Sequence, residues 1–229
     1  MLDGFRILDL TWVLGGPYAT LLLAQLGADV IKVETAAGDM SRKILPHYVN
    51  GESTFFLSVN RGKRSIVLDL KHEQGMETFR DLVRHSDAVV YNMTPSAPRR
   101  LGIDHPTLLS VNPRICVGEM IGLHDEGEYA NFPAFDLAIQ ALGGVMSITG
   151  EPDGKPVRVG YQIADLVNTA SGLPIQFLGT AFKYDSGKSL GYPPRVGEHT
   201  EEVLRDVCGY DRAKIDSLAN AGAVALVEP

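Results

Sequence analysis

Three consecutive stretches decide the fold: FRILDL (residues 5–10), PYATLLLAQLG (17–27) and DVIKVE (29–34). The first is a short apolar run, and both the first and the third have the length of a strand. The middle stretch has the length of a helix, with Pro17 in its first turn and Gly27 at its end. A strand, a helix and a strand joined this closely predict a βαβ unit with parallel strands and a right-handed crossover.

The same alternation continues along the chain. Further strands are predicted for SIVLDL (65–70), DAVVYN (87–92) and RICVGEMIG (114–122), and helices for EQGMETFRDLVRHS (73–86) and HPTLLSVN (105–112). The stretch AFDLAIQALGGVMSITG (134–150) predicts a buried helix that ends among glycines. These elements predict an α/β fold with a largely parallel, Rossmann-like sheet flanked by helices on both faces. The core side of the helix at 73–86 is expected to carry Met76, Phe79, Leu82 and Val83.

Composition excludes several classes of function. The chain has 229 residues, of which 45% are hydrophobic and 21% charged, as is typical of a globular protein. A net charge of −7 argues against a nucleic-acid partner, and no apolar run approaches the ~20 residues that span a bilayer, so no membrane partner is expected. The N-terminus lacks a signal-peptide pattern, and the two cysteines lie far apart. Cys116 and Cys208 are therefore expected to be reduced, with Cys116 buried in a strand, and the protein to be cytoplasmic.

The loop TWVLGGPYA (11–19) follows the first predicted strand, where open α/β sheets usually bind their ligands. Gly15 and Gly16 would let a ligand approach the backbone there. The loop is not a G-x-G-x-x-G fingerprint, and the sequence contains neither a phosphate-binding G-x-x-x-x-G-K-[ST] loop nor a G-x-S-x-G elbow. The histidines show no metal-binding spacing. We therefore expect no tightly bound cofactor and no metal.

Six longer stretches follow one another in the order of a known enzyme family. They are RILDLTWVLGGPYATLLLAQLGADVIKVE (6–34), NRGKRSIVLDLK (60–71), VVYNMTPSAPRRLGI (89–103), VNPRICVGEMIGL (111–123), PAFDLAIQALGGVMSITGEPDGKPVRVG (133–160) and PPRVGEHTEEVLRDVCGYDRAKIDSLANAGAV (193–224). The fifth is followed closely by IADLV (163–167). With these stretches the chain resembles the family III CoA-transferases of the CaiB/BaiF type, which include formyl-CoA transferase and carnitine CoA-transferase, with the α-methylacyl-CoA racemases as relatives. The resemblance implies transfer of coenzyme A between an acyl-CoA thioester and a small carboxylic acid, with coenzyme A as a substrate.

Asp165 is the catalytic residue that the resemblance implies, because the family's nucleophilic aspartate follows the P-x-R-x-G segment, here PVRVG (156–160). Its carboxylate would attack the thioester carbonyl and form a covalent aspartyl intermediate. Local sequence alone leaves a second interpretation open, in which Asp165 is the N-cap of a short helix.

The resemblance also implies a set of coenzyme A contacts. The loop residues would line the path of the pantetheine and nucleotide, and the two basic residues would face phosphate oxygens. Tyr91 stands where the family usually has Glu, and Met93 where it usually has Phe. The implied contacts are Val13, Leu14, Gly15, Lys63, Arg64, Asn92 and Arg100.

Phe135 bears on which family chemistry applies. The racemase relatives place a proton-transferring His where this chain has Phe135, which cannot move a proton. CoA transfer is therefore the favoured reaction, with a racemase or dehydratase-type relative as an alternative.

In the family, the aspartate segment continues into a second, smaller domain before the chain returns to the first. Here the returning piece follows almost at once, so we expect a CoA-binding domain over residues 1–170, a returning segment over 171–229 and no small domain. A homodimer is expected, without the interlocking that the small domain provides. Such a chain is either an active CoA-transferase or a non-catalytic remnant that binds coenzyme A or another partner.

Overall fold

The computed structural model describes residues 1–123, 127–130, 132, 134–163 and 191–227. The chain divides into a sheet unit (residues 1–93, 97–120 and 184–229) and a smaller unit (94–96 and 121–183). The expected boundary at residue 170 lies outside the described residues, so the domain division stays a prediction.

A six-stranded sheet forms the centre of the sheet unit, in the order β7–β6–β1–β2–β5–β8. Its first five strands are parallel and only β8 runs antiparallel. The expected α/β fold with a mostly parallel sheet is confirmed. The strands are β1 (Arg6–Leu10), β2 (Asp29–Glu34), β3 (Tyr48–Val49), β4 (Glu52–Ser53), β5 (Arg64–Leu68), β6 (Ala88–Tyr91), β7 (Cys116–Glu119) and β8 (Val224–Ala225), of which β3 and β4 form a separate hairpin.

Helices connect and cover these strands. The predicted strand at 29–34 matches β2 exactly, and the other predicted elements before residue 123 match to within a few residues at their ends. The helices are α1 (Gly15–Gln25), α2 (Thr54–Val59), α3 (Glu73–Arg84), α4 (Ser96–Leu101), α5 (His105–Val111), α6 (Asp136–Leu142), α7 (Thr200–Cys208) and α8 (Arg212–Asn220), with 3-10 turns at Met40–Lys43 and Val145–Ile148.

The side chains of each strand alternate between two faces of the sheet. Leu8 and Ile31 belong to the larger core, which α3, α5, α7 and α8 cover. Ile7 and Val30 point to the opposite face, where Ala24 of α1 packs on them. The predicted stripe on α3 is confirmed, since its four residues, Met76, Phe79, Leu82 and Val83, are all buried in the larger core.

The described part of the predicted returning segment contacts β5 and the 3-10 turn at Met40–Lys43. The Ser65 carbonyl accepts a hydrogen bond from the His199 amide, and the Ser65 hydroxyl accepts one from the Gly197 amide. The Arg42 guanidinium donates to the Pro194 carbonyl over 3.0 Å. β8 then pairs with β5 and closes that edge of the sheet.

Two expectations about burial are wrong. The helix predicted within 134–150 ends at glycines as expected, since α6 stops at Leu142 and Gly144 has a left-handed φ of 75°, but only Asp136 and Gln140 of α6 are buried. Leu142 and Ile148 are 60% and 86% exposed. Cys116 is exposed as well, since β7 lies at the edge of the sheet. Across the described ranges, no helix is long and apolar enough to cross a membrane.

Candidate functional site

The loop between β1 and α1 lies at the carboxyl edge of the parallel strands, and side chains from other elements hold its backbone. The Thr11 amide donates to Asp9 Oδ1 over 2.9 Å, and the Thr11 carbonyl accepts from Lys32 Nζ over 2.8 Å. The Trp12 amide donates to Asn92 Oδ1 over 2.8 Å, and the Trp12 carbonyl accepts from Asn92 Nδ2 over 2.9 Å. The loop is therefore fixed by charged and amide groups rather than by the sheet ladder.

Val13 adopts a left-handed backbone conformation with φ 68°. This conformation is rare for a β-branched residue and costs on the order of 1–3 kcal/mol. The Val13 amide donates to Asp39 Oδ1 over 3.3 Å. The strain persists because the surrounding hydrogen bonds over-determine the loop.

Gly16 lies where α1 begins and is buried. A Cβ at this position would lie 2.4 Å from the Thr11 Cβ, closer than non-bonded carbon atoms can approach. Gly16 therefore serves the close packing of α1 on the loop, which accounts for it without a ligand.

A cluster of buried charges lies between the sheet and α1. The Lys63 ammonium contacts Asp9 Oδ2 at 2.9 Å and donates to the Thr20 hydroxyl and to Asn60 Oδ1, both over 2.8 Å. The Pro17 carbonyl accepts from the same ammonium over 2.9 Å. Protein oxygens thus surround Lys63 Nζ, whose side chain is 0% exposed. This arrangement disfavours the predicted contact between Lys63 and a phosphate.

A second buried pair adjoins the first, because Lys32 Nζ lies 2.9 Å from Asp39 Oδ2. The pKa of Asp9 reflects both lysines. Burial opposes ionisation of the Asp9 carboxyl, but the charges of Lys63 and Lys32 and a hydrogen bond from Thr11 outweigh it and lower the pKa to about 2. Burial lowers the pKa of Lys63 to about 8, against the opposing effect of the Asp9 charge.

Stability is expected to depend on Asp9 between pH 4 and pH 2. The pKa of Asp9 is about 2 in the folded state and lies near 3.8 without the fold, so ionised Asp9 stabilises the protein above about pH 4, and this contribution is lost as the pH falls through about 2. The difference in unfolding free energy between wild type and Asp9→Asn should shrink by about 2 kcal/mol over that range. Urea denaturation at several pH values measures this difference. The exposed Glu151→Gln variant is the control, and a difference that does not change with pH would contradict the expectation.

Arg64 lies at the opposite edge of the sheet from the loop. It is the first residue of β5, and its guanidinium contacts Asp29, the first residue of β2, at 2.7 Å. Glu202 lies 2.9 Å from the same guanidinium, and Arg6 at the start of β1 also pairs with Asp29 at 2.7 Å. In parallel strands, first residues share the amino edge, whereas ligands bind at the carboxyl edge. The predicted contact between Arg64 and a phosphate is therefore disfavoured too.

The structure brings some predicted residues together and separates others. Val13, Leu14, Gly15 and Asn92 meet at the carboxyl edge, whereas Arg100 is exposed in α4. Tyr91 donates to Glu119 Oε1 over 2.5 Å, so the residue that replaces the family's Glu is bound to a Glu on the neighbouring strand. In the smaller unit, Phe135 is 65% exposed. Asp165 lies outside the described residues.

Sequence reasoning named Asn92 only as a contact of coenzyme A and missed the other side chains that hold the loop, those of Asp9, Lys32 and Asp39. Asp9 and Lys32 are charged residues inside the apolar strands β1 and β2, and this is the signal that could have identified them. Asp39 carried no such signal, since it lies in a polar loop. Among the residues with described positions, no group of His, Cys, Asp or Glu could hold a metal ion.

Comparisons with known proteins agree on one family. The model of CoA-transferase family III matches residues 2–175. Formyl-CoA:oxalate CoA-transferase from Streptomyces avermitilis is 44% identical over 164 residues, which cover 72% of this chain and 40% of the relative. Succinyl-CoA:mesaconate CoA-transferase from Haloarcula hispanica is 44% identical over 173 residues, which cover 72% of this chain and 44% of the relative.

A solved structure gives the same result. The crystal structure of a CAIB/BAIF family protein from Brucella suis matches with a TM-score of 0.68 and 38% identity, covering 72% of this chain and 45% of that one. The chain spans 40% and 44% of the length of the two curated relatives.

Proposed function

Because the chain belongs to CoA-transferase family III, we propose that it transfers coenzyme A from an acyl-CoA thioester to a small carboxylic acid through a covalent intermediate on Asp165. The observation that carries the proposal is the family match over residues 2–175, which includes both the loop between β1 and α1 and Asp165. The Streptomyces relative is named for oxalate and the Haloarcula relative for mesaconate, so these two acids are the first acceptors to test.

The proposed reaction begins when the Asp165 carboxylate attacks the thioester carbonyl. The C–S bond breaks, the CoA thiolate leaves and a mixed anhydride remains on the enzyme. The thiolate then attacks the aspartyl carbonyl and releases the first acid, which leaves an aspartyl-CoA thioester. The acceptor carboxylate attacks the carbonyl of this thioester, which releases the CoA thiolate and leaves a second mixed anhydride. The thiolate then attacks the acceptor's carbonyl, which forms the new acyl-CoA and regenerates the Asp165 carboxylate. Each step conserves the energy of the thioester, provided that water is excluded.

The loop at the carboxyl edge supports the proposed path of coenzyme A. α1 begins at Gly15 without a side-chain cap and has no acidic residue in its first turn. Its positive dipole end therefore favours an anionic ligand beside Val13, Leu14 and Gly15. We retain these three residues and the exposed Arg100 as proposed contacts. Lys63 and Arg64 are not retained, because protein carboxylates already pair with both.

A second candidate function is binding of coenzyme A without transfer. The observation that favours it is the start of α1, which lacks a side-chain cap and suits an anionic ligand whether or not transfer follows. The expected homodimer, the cytoplasmic location and the lack of nucleic-acid and membrane partners stay proposals that rest on composition and on the family resemblance.

Exchange of labelled coenzyme A into unlabelled acyl-CoA tests the proposal without knowledge of the acceptor. Formation of the anhydride releases CoA and its reversal incorporates CoA, so the first step alone produces exchange. We expect label to enter succinyl-CoA or formyl-CoA when the protein is present. Binding of CoA without exchange would favour the second candidate function. Absence of both binding and exchange would contradict both proposals.

A further inference from the structure

Asn92 binds both backbone polar groups of one loop residue. Its amide oxygen accepts from the Trp12 N–H over 2.8 Å, and its amide nitrogen donates to the Trp12 carbonyl over 2.9 Å. Asn92 follows β6, and Trp12 follows β1, which pairs with β6 in the sheet. These two bonds engage one acceptor and one donor of the amide on the protein itself.

The two hydrogen bonds from Asn92 to Trp12 form a clamp on the loop. The backbone conformation of the next residue, Val13, explains why this clamp is needed. Val13 has φ 68°, and L-residues populate this left-handed conformation about tenfold less than the right-handed one. Without restraint, the loop would relax to a conformation with negative φ at Val13. The Asn92 bonds to Trp12 lie one residue before the strained position and oppose this relaxation.

We propose that Asn92 is a positioning residue, which holds the Trp12–Val13 loop in its strained conformation so that the start of α1 can receive coenzyme A. The inference rests on the proposed function for the identity of the ligand, whereas the hold of Asn92 on the loop does not depend on it. It differs from a direct contact between Asn92 and coenzyme A, which the sequence alone predicts.

Affinity for coenzyme A in the wild type and three variants separates the two roles. If Asn92 acts through the strain at Val13, Asn92→Ala reduces the fraction of molecules with a competent loop and weakens CoA binding by about tenfold. Glycine adopts positive φ without penalty. In a Val13→Gly background, the same Asn92→Ala change should therefore weaken binding by less than about threefold. An equal loss in both backgrounds would overturn the proposal and indicate a direct contact.

Fluorescence tests the clamp without any ligand, because Trp12 is the single tryptophan of the chain. Asn92→Ala should raise the acrylamide quenching constant of Trp12. Asn92→Asp keeps the acceptor for the Trp12 N–H but loses the donor to the Trp12 carbonyl, so it should give an intermediate value. Quenching unchanged from wild type in a folded Asn92→Ala protein would overturn the proposal.

Asn112 provides the matched control, since its side-chain amide donates to the Val83 and Ser86 carbonyls over 3.0 Å each, remote from the loop. Asn112→Ala should lower the urea midpoint while CoA affinity and Trp12 quenching stay at wild-type values. Far-UV circular dichroism confirms that each variant is folded. If the wild-type protein binds no CoA, the proposed function fails, and the quenching comparison alone decides whether Asn92 holds the loop.

Discussion

Replacing Asp165 with asparagine is expected to reduce exchange of labelled coenzyme A by about a thousandfold or more. The amide is a far weaker nucleophile than the carboxylate, so the mixed anhydride cannot form, and loss of a covalent nucleophile has effects of this size or larger. Affinity for CoA should change little, because the proposed contacts of the ligand are the loop after β1 and Arg100 rather than Asp165. The measurement is the exchange rate at saturating acyl-CoA, together with CoA affinity by calorimetry.

Asp153→Asn is the matched control for Asp165. Asp153 is exposed and has φ 61°, a backbone conformation that asparagine tolerates well. This variant should exchange CoA at the wild-type rate. Asp165→Ala guards against deamidation of the introduced asparagine. Wild-type exchange in both Asp165 variants would show that another residue is the nucleophile.

Replacing Lys63 with methionine is expected to lower the free energy of unfolding by about 3–5 kcal/mol. The Lys63 and Asp9 side chains are both 0% exposed, so removing the ammonium leaves a buried carboxylate without its nearest counter-charge. If the Lys63 side chain were instead exposed and bound a phosphate of coenzyme A, the change in unfolding free energy would stay within about 0.5 kcal/mol and the affinity for CoA would fall. Urea denaturation monitored by circular dichroism distinguishes the two results.

Two further variants complete the Lys63 test. Lys43→Met removes an exposed lysine and should leave the unfolding free energy within about 0.5 kcal/mol of wild type. Asp9→Asn combined with Lys63→Met should cost less than the sum of the single changes, because neither partner is then left as an unpaired charge. Full additivity of the two changes would contradict a direct Asp9–Lys63 interaction.

The sequence predicted the elements of the sheet unit best where one periodic signal dominated. β2 and the buried stripe of α3 follow directly from apolar spacing and match the structure. β8 has only two residues, too few to show any periodicity. The burial expected within 134–150 was wrong for a different reason, since apolar composition alone does not show whether another element covers a helix, and Leu137 and Leu142 of α6 are 48% and 60% exposed.

The candidate site was harder to predict than the fold. Local sequence placed a ligand loop after β1, because parallel α/β sheets bind ligands at that edge. The partners of that loop come from residues 9, 32, 39 and 92, which only the pairing of β1 with β2 and β6 brings together. Lys63 and Arg64 are adjacent in sequence, yet one reaches under α1 and the other lies at the amino edge. Lys63 precedes β5, whereas Arg64 is its first residue, so one motif cannot assign both to the same ligand.

The pairing of β8 with β5 also sets the order of events during synthesis. Val67 pairs with Ala225, so roughly 150 residues must be translated after β5 before its edge is covered, which takes about 10–30 s on a ribosome. In that interval Ile66, Val67 and Leu68 form an apolar edge strand, which can pair with a neighbouring nascent chain. Contacts of such long sequence separation also form slowly. The two residues of β8 therefore cover the edge of β5 only late in synthesis. A chain that ends before Val224 leaves the backbone groups of that edge unpaired.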